Sequence, residues 1–600
     1  MIKKYLGPIS LFKKPFVKQI LIFLAYLLIS LIFTFPLVSH LATHSFGWEM
    51  DSYIYMWNVD TFWNEVFNFR NPFFTNRIFY PIGTNLIFHT YGVWPDILGI
   101  FFLNNLVLYM NLLIIISLAL AAYTCFILLN YLTKHLPGSF ISGLIYGFSP
   151  IMIAFILSQH YYFEWAALFL PLGLFVLFKF FDTLKTRYIA WLMLFFWMCF
   201  FTDYYTAILY IIIVFIAIIM FLLLFFIKKR KFFYQIFTSK KILSYVKALL
   251  PTLVLPLAFL FFFIFPLDEI RNKAFSQSNY AFYGNTNLAG FLIPSEINPI
   301  LHKIHKALMS LFGLQRNYDT PSYFLGWGIL GLAVTSFFIN RKNKYVLTAG
   351  ITGIVILLLS LGLIIRFGNI EITSQKLTPF YWFSQLPFMG LIDSPLRFPI
   401  AVQLSIAILI GIMVSKIKGK RILGKIIPGA VILFFCIEYA TWNLPLSQVY
   451  VPSIYKELSK TRDNYTVLEL PSGICESKGA FGCDWAIYNL HSRQMYWQTI
   501  HKKPRLGAYV SRISESQYKF FKNEPIISDL FRMTSQGGAW SNKSFSEAEI
   551  SQFLDSFNIG YIIFSPNPRQ TQFISAIEKI FGEHITNRQE SEGYVLYKVF

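Results

Sequence analysis

Long apolar runs separated by short clusters of lysine and arginine constrain this 600-residue chain more than any other feature. About 20 apolar residues cross a bilayer as a helix. Runs of that kind give about eleven spans, near residues 20–38, 107–131, 139–158, 163–181, 188–202, 206–227, 248–266, 322–340, 346–365, 397–415 and 427–443. Hydrophobic residues make up 56% of the chain and charged residues only 14%, which excludes an ordinary soluble protein. The formal charge of +21 could suggest nucleic acid, but its carriers do not form a binding face. They sit between apolar runs: Lys3, Lys4, Lys13, Lys14 and Lys18; Lys179, Lys185 and Arg187; residues 228–231 with Lys240, Lys241 and Lys247; Arg341, Lys342 and Lys344; Lys416, Lys418, Lys420, Arg421 and Lys425. Positive loops stay cytoplasmic, so these clusters and the N-terminus are expected on the inside of the plasma membrane, with no nucleic-acid partner.

An odd number of crossings from a cytoplasmic start puts the C-terminal part outside. The first run has no small-residue cleavage site after it and reads as a signal anchor. Three outer segments are large: 39–96, 267–321 and 367–396. The expected architecture is therefore a polytopic α-helical membrane domain, 1–444, carrying the large first loop. An extracytoplasmic soluble α/β domain, 445–600, follows it. In that domain, strand-like 465–470, 561–564 and 594–599 alternate with helical patterns at 546–557 and 572–581. Cys125, Cys199 and Cys436 lie in apolar runs. Cys475 and Cys483 lie outside, and the sequence leaves open whether they pair.

The acids are few, so their placement matters. Residues 48–60 put Glu49, Asp51 and Asp60 among Trp48, Trp57 and the nearby Trp63, just after the first span. Carboxylates shun lipid and belong at the water interface, where one could act as a base. The bland alternative is an interfacial helix anchored by its tryptophans. His160 and Glu164 flank the next outer turn, and Asp203 marks the turn expected inside the long apolar stretch 188–227. Each could simply end a helix. Asp268 and Arg271 open the second outer segment. Arg397 enters an apolar run between Pro395 and Pro399, where a guanidinium can grip a phosphate bidentately or merely snorkel to lipid. His302 and His305 are spaced i, i+3 without a nearby third ligand, so no metal site is assigned and dependence on a divalent cation stays open. Gly-Lys-Ser/Thr loops, His-Glu-x-x-His and Gly-x-Ser-x-Gly are absent.

Several pieces taken in order carry a resemblance. After the acidic, tryptophan-rich 48–63 come 80–86 (Tyr-Pro-Ile-Gly-Thr-Asn-Leu), 143–150 with His160, and 202–205 (Thr-Asp-Tyr-Tyr). Then follow 286–299, 323–326 (Tyr-Phe-Leu-Gly) and 386–397. This order, over residues 20–445, resembles the GT-C superfamily of integral-membrane glycosyltransferases, in its poorly characterised prokaryotic branch. The resemblance implies a sugar donor on a polyprenyl phosphate and transfer on the outer face to a glycan, lipid or protein acceptor. It also implies an acidic base in the first outer loop: here Asp51, with Glu49 the substitute, since Met50 separates the two acids. Arg397 and Arg271 would hold the donor phosphate. His160, Glu164, Asp203, Trp57 and Asp268 are pocket candidates. The Trp-Trp-Asp-Tyr-Gly signature of protein N-glycosylating enzymes is missing.

Two other classes remain in view. A lipid-linked sugar transporter or flippase would place charges and interrupted helices at mid-membrane depth, and the sequence offers few of either. A non-catalytic binder of an envelope polymer would use Trp485, Tyr496, Trp497 and Tyr509, which suit sugar stacking and a protein core equally.

Overall fold

The computed structural model describes residues 15–47, 51–87, 89–228, 238–259, 285–314, 323–386, 389, 392, 394–417, 422–475, 480–481, 483, 485–534 and 544–599. The chain divides into two compact units. One comprises Met1–Trp48, Asn111–Pro256 and Ser278–Leu446; the other comprises Glu49–Met110, Leu257–Gln277 and Ser447–Phe600.

The first unit is helical. Among the described residues, six helical stretches are long and apolar enough to cross a membrane: Phe16–Phe33, Leu106–Thr133, Leu136–Leu157, Tyr161–Thr183, Tyr204–Leu224 and Pro395–Lys416. Arg187–Phe200, Trp327–Asn340 and Lys344–Ser360 are shorter apolar helices. The chain is a polytopic membrane protein. The stretch read as 188–227 breaks at Asp203, between the helices Arg187–Phe200 and Tyr204–Lys228. The first helix, Pro15–Phe33, stops short of the expected residue 38. Phe35 precedes Pro36 there, and a residue before proline is driven out of the helical region. The Ser239–Phe259 helix covers only the first part of the expected 248–266 span, whose remainder lies outside the described residues.

The helix Pro399–Lys416 is buried along its whole length from Pro399 to Val414, so it forms the axis of this unit. Lipid offers no hydrophobic drive between apolar helices, so small residues and hydrogen bonds must join them. Both devices are present. Gly411 lets the helix approach Leu136–Gly147 so closely that a Cβ there would lie 2.0 Å from Ser142 Oγ. Gln403 Nε2 donates to Ile145 O (3.0 Å) and Tyr439 OH (2.6 Å), and Tyr439 OH donates to Leu325 O (2.7 Å). Ser336 Oγ donates to Leu409 O (2.6 Å).

The second unit holds a four-stranded sheet in the order Ile585–Ser591, Tyr594–Val599, Ile559–Phe564, Thr466–Leu470. Its last pair is parallel and the others are antiparallel. Ile562, Phe564, Leu468 and Leu470 are fully buried there, and the helices Glu547–Ser556 and Gln570–Phe581 contribute to the same core. A smaller sheet pairs Ile474–Cys475 with Ala480–Phe481 and Ala508–Tyr509, and Cys475 and Cys483 are disulfide-bonded. Residues 51–110, which the sequence reading gave to the membrane domain, belong to this unit. The helix Asp51–Phe67 packs on Trp485–His501, and Trp57, Phe62, Ile78 and Phe79 sit in one core with Leu468 and Phe564. Apolar runs along the loop cannot disclose a partner some 400 residues away.

Candidate functional site

In the second unit, Asp51 is the first residue of its helix. A carboxylate there meets unpaired backbone N–H groups and the positive end of the helix, both of which favour the ionised form. The Tyr488 hydroxyl donates to Asp51 Oδ1. Burial first, and then the charge of Asp51, push the Tyr488 hydroxyl well above its ordinary range, so it stays a donor at neutral pH. The Tyr488 ring rests edge-on against Tyr509, centroids 4.6 Å apart. Tyr488 escaped the sequence reading; no local pattern marks it.

The other first-loop candidates have different settings. Asp60 is saturated: Arg77 Nη1 lies 2.9 Å from one carboxylate oxygen and Lys502 Nζ 2.5 Å from the other. Its surroundings are those of a structural ion pair. Trp57 is fully buried and its indole N–H donates to Gln498 Oε1 at 2.7 Å, so it is a core side chain and not a headgroup anchor. Glu49, Asp268 and Arg271 lie outside the described residues.

In the first unit, the residues marked from the membrane half converge. Arg397 ends a 3-10 turn, Pro395–Arg397, just ahead of the axial helix Pro399–Lys416. Its Nη1 lies 3.2 Å from Asp203 Oδ1, and its guanidinium carbon stands 4.4 Å from the centre of the Tyr205 ring. Asp203 caps the helix Tyr204–Lys228, its Oδ2 accepting from the Thr206 backbone N–H (2.7 Å) and the Thr206 hydroxyl (2.5 Å). The Asp203 carboxylate thus ends a helix and orients a guanidinium at once. Glu164, in the short helix Tyr161–Ala167, is fully buried, and its carboxylate oxygens have no side-chain hydrogen-bond partner among the described residues. Arg397 and Asp203 are the charged groups acting on it. His160 precedes that helix, its ring edge-on to Phe155 at 5.5 Å. Burial, then the charge of Arg397, push its imidazole down to about 3, so it is neutral at physiological pH. His160, Glu164, Asp203 and Arg397 are therefore coupled electrostatically. Tyr205, which lies in the quoted 202–205 motif, and Thr206 join them without having been site candidates. Among the described residues no three His, Cys, Asp or Glu side chains gather as metal ligands.

Comparison by sequence yields no matching family model and no matching curated protein. Comparison by structure finds an arabinofuranosyltransferase, AftD, from Mycobacteria. The TM-score is 0.52 at 10% identity, covering 97% of this chain and 40% of that one. An oligosaccharyltransferase from Archaeoglobus fulgidus aligns with a TM-score of 0.44 at 12% identity, covering 96% of this chain and 72% of that one. The chain thus spans 40% of the length of the mycobacterial enzyme. It is a polytopic membrane protein whose fold is similar to that of the mycobacterial arabinofuranosyltransferase.

Proposed function

We propose that this protein transfers a sugar from a polyprenyl phosphate donor to a glycan, lipid or protein acceptor on the outer face of the plasma membrane. The GT-C fold supports glycosyl transfer, and the setting of Asp51 carries the rest. A carboxylate at a helix N-terminus, steadied by the Tyr488 hydroxyl, is suited to taking the proton of an acceptor hydroxyl. The freed oxygen attacks the anomeric carbon, the bond from that carbon to the phosphate oxygen breaks, and polyprenyl phosphate departs as an anion. Attack on the face opposite the leaving group inverts the anomeric centre. The leaving group needs little protonation, so the demand is for a base and for cationic stabilisation of the phosphate. Arg397 supplies the latter in this reading, its orientation set by Asp203 and Tyr205. Glu49 as substitute base and Arg271 as a second phosphate contact remain part of the proposal.

The topology that goes with it has eleven spans, a cytoplasmic N-terminus, a membrane domain over 1–444 and an extracytoplasmic 445–600. The deciding experiment uses the full-length protein in lipid vesicles with a radiolabelled polyprenyl-phosphate sugar. Asp51→Asn should lower transfer about 10²–10⁴-fold, the range typical of a lost general base, while donor binding persists. Unchanged transfer removes Asp51 from the chemistry.

A further inference from the structure

The ten-residue helix His302–Leu311 has no buried residue. At about 100° per residue, Ile304, Ala307, Leu308 and Leu311 share one face, and Lys303, Lys306 and Ser310 lie along one flank of it. The apolar face is open: Ile304 is 41% exposed and Leu311 74%. Lys303 and Lys306 are exposed as well.

The depth of this helix is fixed by its neighbours. Asn298 Nδ2 donates to the carbonyls of Ile437 (2.9 Å) and Glu438 (3.1 Å), tying the preceding segment to the C-terminal end of the apolar helix Leu423–Glu438. The Glu438 carboxylate in turn accepts from the N–H groups of Gly328 (2.6 Å) and Ile329 (3.2 Å), at the start of the apolar helix Trp327–Asn340. The Trp327 indole donates to Leu292 O at 3.0 Å. Two apolar helices therefore end at the level of residues 292–301, which is where hydrocarbon gives way to headgroups. His305 Nδ1 donates to Pro294 O at 2.8 Å and His302 Nδ1 to Pro299 O at 3.3 Å, folding the helix back on that segment. The histidine pair at i, i+3 serves this local tie. Beyond the helix, Phe312 O accepts from Asn369 N (3.1 Å) and its ring meets Phe367 edge-on at 5.1 Å. That joins the hairpin of Arg366–Phe367 and Ile370–Glu371, whose Ile370 is 64% exposed.

We propose that His302–Leu311 is an in-plane membrane-surface helix, with its apolar face among acyl chains and Lys303 and Lys306 paired with the phosphates of anionic lipids. A cationic, amphipathic segment of low overall hydropathy at headgroup depth has the properties of such helices. Its lysines complement anionic phosphate and have no comparable attraction to zwitterionic lipid. The proposal is independent of the glycosyl-transfer reading.

The test uses full-length protein in lipid nanodiscs, in a Cys436→Ser background because Cys436 is the exposed free thiol among the described residues. Nitroxide is placed through Leu311→Cys or Lys303→Cys, and each variant is first shown to elute monodisperse. At Leu311, collision with oxygen should exceed collision with a water-soluble nickel chelate; at Lys303 the order should reverse. In mixed phosphatidylcholine and phosphatidylglycerol discs, Lys303→Glu with Lys306→Glu should cut retained phosphatidylglycerol at least about twofold, as expected when two surface lysines are removed. A chelate-accessible Leu311 label overturns the seating. So does dipolar broadening, which would show a second copy covering the face. Unchanged phosphatidylglycerol retention overturns the anionic-lipid pairing.

Discussion

Asp51 and Arg397 differ in how their neighbours hold them. Asp51 accepts a hydrogen bond from the Tyr488 hydroxyl, a neutral donor that steadies its charge. A hydrogen bond to a charged group is worth about 1.5–3 kcal/mol. Tyr488→Phe should therefore slow turnover about tenfold or more with little change in KM for the donor, read from initial rates. Arg397 already carries one carboxylate, Asp203, at 3.2 Å. A planar guanidinium keeps its orientation against Tyr205 in a way an ammonium cannot, so Arg397→Lys should raise the donor KM more than it lowers kcat. His160 gives a pH signature. Its folded-state pKa of about 3 lies below the unfolded value of about 6.5. The unfolded chain then binds the extra proton, so this contribution to stability is intact above about pH 6.5 and lost as pH falls toward 3. His160→Gln should flatten the decline of Tm between pH 7 and 4, followed by thermal unfolding in detergent.

Elements are joined by small numbers of polar contacts, and these carry the next predictions. Glu438 caps the Trp327–Asn340 helix from a neighbouring helix, so Glu438→Ala should cost about 0.5–2 kcal/mol, with the loss confined to the first unit in hydrogen exchange. In the second unit, Arg505 and Glu469 form an ion pair at 2.7 Å with both side chains 1% exposed. Arg505→Met would strand a buried carboxylate at a cost of about 3–5 kcal/mol. The double replacement Arg505→Met, Glu469→Met should recover most of it in the same thermal scan. Some of these elements were legible beforehand. Thr466–Leu470 and Ile559–Phe564 are rich in β-branched and aliphatic residues and lie close to the expected ranges. Ile585–Ser591 was not, because an edge strand of sequence Ile-Thr-Asn-Arg-Gln-Glu-Ser buries almost nothing and shows no alternation. The turn at Asp203 was readable because one charge interrupted forty apolar residues. The Asp51–Tyr488 contact was not, since periodicity reports which face a residue shares and never which distant residue it meets.

For the whole chain, composition settled the membrane class, and the clusters of Lys and Arg set the expected orientation. The bond between Cys475 and Cys483 offers a separate compass. Thiols facing the bacterial or eukaryotic cytosol are kept reduced by glutathione and thioredoxin, whereas exported segments are oxidised and stay so. Mass spectrometry of peptides alkylated before reduction, from protein made in intact cells, should find these two cysteines blocked while Cys436 reacts. That single covalent link would then act as a chemical record of which compartment received residues 445–600.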